Sequence, residues 1–459
     1  MKQNLNISKL IPCLILLIML ASCSPEKNQD TRLAEMVKED FRQSWNAYKK
    51  FAWGHDVLKP LSQSHADWYA EPLYISPIDA YSTMKVMGLD KEAAEVHRYL
   101  LDSVRFDKDL FVKTFEVNIR ILGGLLAMYQ YSTNTAVLNL AADFGTRMLA
   151  AFNSPTGLPY YWFNLKTGEA KGTEINVAEA GSYLFEMSIL SRLTGNPVFG
   201  EKALAASKAV FDRRSEIGLI GERINVETGQ WTDTRSHIGC CIDSYYEYLL
   251  KSWILFGDKK AKKMWDQSLK AINRYLVDTV DGRLWYAQAD MHSGEIQNRI
   301  VTLYDAFFPA ALALAGDLTH AEAYQHSWNW LWNKNGLEPM VYDYGMDSIT
   351  NPRYDLNPEI IESAYYLYRI TGKPEYRQMA ENYYHDLRRY CRTDTVYTAI
   401  ANVITKEQRD YVPTFFFAET LKYLYLSFAP EGREFLDSHV FSTEAHPFNI
   451  SFIRSHGVK

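Results

Sequence analysis

The chain is poor in cysteine, and what it has does not form a metal-finger pattern. Five cysteines occur in 459 residues: Cys13, Cys23, the adjacent pair Cys240 and Cys241, and Cys391. None of the spacings matches a zinc site, and adjacent cysteines rarely pair with each other. A bridge from Cys391 to one of the pair stays open for an exported protein. Basic charge is also in short supply, with 49 Lys and Arg against 55 Asp and Glu, a net charge of −6. With no basic block in that balance, nucleic acid is excluded as a partner. No Pro-, Gly- or Ser-rich linker divides the chain, and no segment alternates strand and helix as a parallel α/β sheet would. What remains is one large globular domain. Aromatics are what the chain has in plenty: 31 Tyr, 22 Phe and 11 Trp, or 14% of residues. Most such rings belong to cores, but rings beyond that need often line sugar sites, where a C–H face packs on them.

The N-terminus reads as an export signal. Lys2 and Lys9 precede the apolar run Ile11 to Leu20, which is too short to be a permanent membrane span. Leu20-Ala21-Ser22-Cys23 resembles a bacterial lipobox, which implies cleavage before Cys23 and lipidation of its thiol. The plainer alternative is an ordinary signal peptide with a chance cysteine. Residues 24–31 are polar with no helical pattern and read as a tether. The expected organisation is a signal peptide over 1–22, lipidated Cys23 with a tether over 23–34, and a single domain over 35–459. The expected location is the bacterial cell envelope, with the membrane reached through the lipid alone.

A helix–turn–helix pattern recurs along the rest of the chain. Leu193-Thr194-Gly195-Asn196-Pro197 and Ile370-Thr371-Gly372-Lys373-Pro374 each end one helical run and open another. Weaker copies surround Gly88, Gly257 and Gly316, and Tyr131-Ser132-Thr133-Asn134 fills the one gap without a glycine. Spacings of roughly 45–60 residues match two helices with connections. The stretches 153–172, 218–238 and 281–300 contain turn signals and short β-like runs, and they read as hairpins at one end. Helix pairs in series predict an all-α toroid. The β-prone segment 439–447 follows the last helix and is placed to reach back into it.

Acidic residues interrupt several apolar helices. Glu116 and Arg120 share a helix face four residues apart; Asp243 opens Ser244-Tyr245-Tyr246-Glu247-Tyr248; Asn357-Pro358-Glu359 precedes Glu362; and Glu419 follows Phe415-Phe416-Phe417-Ala418. Each has a bland reading as a helix ion pair, an N-cap or a first-turn acid. Together they suggest a shared acidic pocket, since buried carboxylates are costly unless paired, hydrogen-bonded or bound to metal. Sugar hydrolysis by two carboxylates is chemistry built this way.

These motifs resemble glycoside hydrolase family 47, the inverting, calcium-dependent α-1,2-mannosidases. The resemblance runs from about Trp45 to Pro447 and rests on Ala52-Trp53-Gly54-His55-Asp56, Phe115-Glu116-Val117-Asn118-Ile119-Arg120, Asp243-Ser244-Tyr245-Tyr246-Glu247, Pro358-Glu359 with Glu362-Ser363, Glu419-Thr420-Leu421-Lys422, and Thr443-Glu444-Ala445-His446-Pro447. Gly239 before Asp243, and Phe307-Phe308-Pro309 before Gly316-Asp317, look closest to the ER degradation-enhancing mannosidase-like branch. The resemblance implies an (α/α)7 barrel holding Ca²⁺, and exo-acting hydrolysis of terminal mannose from high-mannose glycans or mannans. It implies Glu116 as general acid, Asp243 as its assistant and Glu359 as general base. Thr443 would bind the ion, while Glu179, Glu362, Glu419 and Glu444 would hold waters or sugar hydroxyls. Phe415 would stack on mannose, and Arg120 would orient acid and glycan. His55 reads as structural.

Two departures stand out. Asn357 occupies the place of a usual arginine, and Gly336-Leu337-Glu338-Pro339-Met340 has methionine where the family pattern has glutamate. They motivate an alternative, a catalytically weakened glycan-binding lipoprotein of the same fold. A sugar epimerase or uronic-acid enzyme on an α/α toroid would not need the 443–447 motif. The anchoring reading predicts that Cys23→Ala leaves a soluble or unprocessed protein in cell fractionation; a cleaved variant still in the membrane fraction would rule the lipobox out.

Overall fold

The computed structural model describes residues 25–394 and 396–456, with side chains from Gln29 onward. The signal segment and Cys23 lie outside the described residues. Among the described residues, seven helix pairs close a ring. The inner helices are Ile75–Val86, Gly123–Ser132, Leu184–Thr194, Asp243–Phe256, Phe308–Ala315, Glu359–Thr371 and Leu421–Phe428. Each packs on the next, and the last packs on the first. Six outer partners follow their inner helices in sequence: Asp90–Ser103, Thr135–Met148, Val198–Asp212, Lys259–Tyr275, Leu318–Asn335 and Pro374–Tyr390. The seventh is Pro25–Phe51, which lies against the last inner helix. This is the (α/α)7 barrel that the motifs led us to expect.

Burial explains the two layers. Ten consecutive residues of the first inner helix, Ile75 to Met84, are buried, whereas Lys259–Tyr275 buries only Ala261, Met264, Trp265, Ser268, Ala271 and Ile272. The second pattern is an apolar stripe with a solvated back, as an outer helix requires. Much of the aromatic excess is core, including Trp45, Trp265, Trp285, Trp328 and Trp332.

Inner helices pass to outer ones through tight turns at one end of the ring. Gly257 and Gly372 end their helices at φ 73° and 71°, the left-handed conformation glycine adopts without penalty. At the gap without glycine, Thr133 takes φ 51°, and Asn134 caps the next helix by accepting the Ala136 N–H at 2.9 Å. Outer helices return to inner ones through antiparallel hairpins and three-stranded sheets at the opposite end, such as Phe111–Lys113 with Trp162–Asn164 and Ala170–Lys171. The terminal hairpin, His439–Phe441 with Pro447–Asn449, pushes its tip into the ring. Its Glu444, Ala445 and His446 are 2%, 0% and 0% exposed.

One expectation is corrected. The segment read as a tether over 23–34 is helical from Pro25 onward. Its polar residues serve the face of an outer helix: Gln29 donates to Glu381 at 2.7 Å, and Asp30 pairs with Arg377. Leu33, Ala34, Val37 and Phe41 then form the buried stripe.

Close contact between inner helices leaves no room at Gly124. A Cβ there would lie 2.4 Å from Ile78 Cγ2 and 3.0 Å from the Ile78 carbonyl oxygen. Gly124→Ala is expected to destabilise the fold by about 1–3 kcal/mol, more than alanine's helical advantage returns. A urea midpoint equal to or above that of the unsubstituted protein would contradict this packing.

Candidate active site

Each inner helix starts at the hairpin end, so its free N–H groups and the positive end of its dipole point there. Acidic side chains are favoured at such ends. Asp243 and Glu359 are the first residues of their helices, and Glu116 lies in the first turn of Thr114–Val117, which leads into Gly123–Ser132. Glu179 sits in the short helix Val177–Gly181, where it forms a capping box with Asn176. The hairpin tip brings Thr443 and Glu444 to the same place.

The result is one cavity of about 410 Å³ lined by Glu116, Arg120, Glu179, Asp243, Glu359, Phe415, Glu419, Thr443 and Glu444. Glu362 is the one sequence-derived binding residue that does not line it. It is buried behind the wall, accepting from Tyr423 Oη at 3.0 Å, with Lys251 Nζ 3.6 Å away. Trp68, Tyr304, Asp355 and Tyr411 also line the cavity and were not singled out in the sequence.

Arg120 organises this space. Its Nε donates to Glu116 at 3.1 Å, and its Nη1 reaches Thr414 at 3.3 Å, Asp79 at 3.5 Å and Glu444 in direct contact. The guanidinium also lies 5.1 Å from the Trp68 ring centre and 6.0 Å from that of Phe415. Burial works against its charge, but Glu444, Glu116, Asp79 and Glu419 outweigh burial and keep it protonated.

Two π-helical turns, Asn118–Leu122 and Phe416–Thr420, carry Arg120 and Glu419. Such widened turns occur often at functional sites. No local sequence signal distinguishes them from ordinary helix, so they were missed. A second layer was missed as well. Lys422 Nζ donates to Ser82 Oγ at 3.0 Å and to the Ala445 carbonyl at 2.5 Å, tying the hairpin tip to two inner helices. Burial pushes the Lys422 pKa down to about 7. The available signal was polar residues such as Asp79, Ser82 and Lys422 on otherwise apolar helices.

Electrostatics across the cavity are one-sided. Among the described lining residues, seven carboxylates face one guanidinium. Asp355 is offset at the rim by Arg353 and Arg409, each at 2.7 Å. Burial raises Asp243 and Glu359 to about 8, with further upward pressure from Glu247 and Asp305 on Asp243, and from Glu362 and Asp243 on Glu359. Glu179 rises to about 6, chiefly by burial. Burial raises Glu419 and Glu444 well above the usual range, although Arg120 opposes it.

A hard cation fits this surplus. Glu359 Oε2 is buried without a protein partner, as expected of an oxygen that faces water or an ion. No three His, Cys, Asp or Glu side chains converge as direct ligands among the described residues. Thr443, with its hydroxyl and carbonyl oxygens, lines the cavity beside these carboxylates.

The two departures have clear positions. Asn357 is 1% exposed and brings its Nδ2 within 3.4 Å of Glu359 Oε1. Glu338 is wholly buried, neither oxygen meets a protein partner, and it does not line the cavity. It therefore does not supply the missing glutamate. His55 is satisfied structurally, 2.9 Å from Asp67 and stacked on His65. Cys240, Cys241 and Cys391 are free thiols.

Comparison with known proteins assigns the family. The model of glycosyl hydrolase family 47 matches residues 40–450. The chain belongs to glycoside hydrolase family 47. Over 448 residues it is 34% identical to alpha-mannosidase I MNS5 of Arabidopsis thaliana, covering 91% of this chain and 77% of that protein. It is 31% identical to human mannosyl-oligosaccharide 1,2-alpha-mannosidase IB, covering 93% and 71%. An alpha-1,2-mannosidase structure from Trichoderma reesei superposes with TM-score 0.84 at 26% identity, covering 92% of this chain and 99% of that one. Cellobiose 2-epimerase from Bacillus thermoamylovorans, at 12% identity and TM-score 0.52, shares the fold alone.

The raised carboxylates make stability depend on pH. Asp243 and Glu359 bind protons in the folded state that the unfolded chain has shed above its ordinary values of 3.8 and 4.5. Their contribution is complete below those values and is lost as pH rises through about 8. For the chelated protein, the thermal midpoint should decrease as pH rises from about 5 to about 8, and Glu359→Gln should flatten that decrease. Parallel pH profiles for the variant and the unsubstituted protein would refute it.

Proposed function

We propose that this protein is an exo-acting, inverting α-1,2-mannosidase that uses Ca²⁺ and trims terminal mannose from high-mannose glycans or mannans. The observation that carries the reading is the meeting of Glu116, Asp243 and Glu359, from three separate helix starts, in one cavity beside Arg120. Glu116, held by Arg120, protonates the departing glycosidic oxygen. Asp243, which lines the same cavity, can relay a proton toward Glu116 through water. Glu359 takes a proton from the water that attacks the opposite face of the sugar ring, so the product inverts. Asn357 holds one oxygen of Glu359, leaving the other for that water.

Phe415 and Trp68 offer ring faces to the sugar, and Arg120 fixes acid and glycan together. Bound through Thr443, Ca²⁺ would supply a hard centre for vicinal hydroxyls and lower the pKa values of the surrounding carboxylates. Glu179, Glu419 and Glu444 orient waters or sugar hydroxyls, while Glu362 supports the wall from behind through Tyr423 and Lys251. The reading extends to location: a lipid on Cys23 would hold the enzyme at the bacterial envelope. A second reading, a glycan-binding protein with weakened turnover, is favoured by Asn357 in place of arginine and by Glu338 lying outside the cavity.

Incubation with α-1,2-mannobiose separates the two. Mannose should be released, cease on chelation, and return with Ca²⁺ but not Zn²⁺, which prefers fewer ligands, often nitrogen or sulfur. NMR should detect β-mannose first; α-mannose as the first product would contradict inversion. Glu359→Gln should lower turnover about 10²–10⁴-fold while glycan binding persists. Binding without any release by the unsubstituted protein would favour the second reading.

A further inference from the structure

The cavity wall beside Asp243 contains two adjacent cysteines that the proposed sugar chemistry does not use. Cys240 and Cys241 both border the cavity, with their sulfur atoms 3.4 Å apart. Cys241 holds φ at 83°, where an L side chain costs about 1–2 kcal/mol and glycine fits without penalty. A cysteine therefore stands where the backbone favours glycine.

The turn that carries the pair also supports Asp243. The N–H groups of Ile242 and Asp243 both donate to the Gly239 carbonyl at 3.0 Å, and the Ala178 N–H donates to the Cys241 carbonyl at 2.9 Å. Gly239 itself cannot shift toward its neighbour, since a Cβ there would fall 1.8 Å from Asp305 Oδ1. A disulfide needs its sulfurs about 2.05 Å apart, so closure must draw in the short segment that ends at Asp243.

The two thiols have different surroundings. Cys240 is held well above the usual thiol range, first by its hydrogen bond with Cys241 and then by burial. Arg235 is close enough for a Cys241 thiolate to act on it electrostatically. Cys241 is thus the better attacking group, and Cys240 is the resolving one.

We propose that Cys240 and Cys241 are a modification site, closing reversibly into a vicinal disulfide by exchange with a low-molecular-weight disulfide and displacing Asp243 when they close. Cys241, having released its proton to water, attacks one sulfur of the disulfide RSSR. A mixed disulfide forms and RS⁻ departs. Cys240, freed from its thiol neighbour, gives its proton to that RS⁻ and attacks the Cys241 sulfur. The second RS⁻ leaves and takes up the proton first released. Two cysteine thiols are oxidised, and RSSR is reduced to two RSH. The activity consequence rests on the proposed mannosidase reading, but formation of the bond does not.

The test treats the reduced full-length protein with oxidised glutathione, alkylates it, and maps the peptide containing residues 240–241 by mass spectrometry. That peptide should lose two hydrogens and take no alkyl group, while Cys391, which is fully buried, stays a thiol. Two alkyl groups at every oxidant ratio, or a glutathione adduct that never closes, would overturn the site. Mannose release by the wild type should fall about ten-fold or more on oxidation and recover with dithiothreitol, as expected when a catalytic group moves by roughly an ångström. Cys240→Ser keeps the attacking thiol but cannot resolve the mixed disulfide, so oxidant should leave it as a glutathione adduct at Cys241 with no internal disulfide. Cys241→Gly, which suits the backbone at φ 83°, should fold and keep its rate in oxidant. A closed disulfide with unchanged turnover would overturn the link to Asp243. If reduced protein releases no mannose, the hydrolase reading fails, the mapping still decides the bond, and the link is read from affinity for α-1,2-mannobiose.

Discussion

Arg120 is the one cation among the described residues lining a cavity ringed by carboxylates, and the site's architecture depends on how its charge is shared. Its guanidinium reaches the proposed acid Glu116, the hairpin residue Glu444 and the inner-helix residue Asp79. Those partners come from three parts of the chain, so one side chain couples the acid, the plug and the ring. An unpaired buried guanidinium would be far costlier than a paired one, and the same holds for the acids around it. Asp355 is offset by Arg353 and Arg409, whereas burial raises the pKa values of Asp243, Glu359, Glu179 and Glu419. A cavity in that state is built to receive positive charge and hydroxyl-rich ligands.

The second layer gives the cavity its rigidity. Lys422 links the hairpin tip to the first inner helix, and Lys251 sits between Glu247 and Glu362 behind Glu359. Both lysines are almost fully buried, at 0% and 2% exposure. The Lys251 ammonium between two acids does not shift easily, since each rearrangement would leave a charge uncompensated, and Lys422 is held by its hydrogen bonds to Ser82 and Ala445. The proposed catalytic groups are thus fixed from behind, while their working oxygens face the cavity.

Much of this was legible in the sequence because it is written locally. Turns at Gly195, Gly257, Gly316 and Gly372 marked the helix pairs, and acids at helix starts marked the cavity. The 439–447 segment announced itself by β propensity after the last helix. Other features depend on distant contacts and left little local trace. Gln29 and Asp30 looked like a tether because their partners, Glu381 and Arg377, lie some 350 residues away. The π turns at Asn118–Leu122 and Phe416–Thr420 follow from tertiary packing and have no compositional mark. Whether Glu362 lined the cavity or stood behind it turned on Lys251 and Tyr423, which periodicity alone cannot place.

The ring is closed by pairing the first helix, Pro25–Phe51, with the last inner one, Leu421–Phe428. A chain made from its N-terminus therefore exposes the apolar stripe of Leu33, Val37 and Phe41 until nearly the whole sequence has been synthesised. Contacts so distant in sequence slow folding and lengthen exposure to aggregation. The plug hairpin comes later still, so Thr443 and Glu444 enter the cavity only after the seam can close. Assembly of the ring and completion of its chemistry are in effect one late event, and a partly folded chain holds neither.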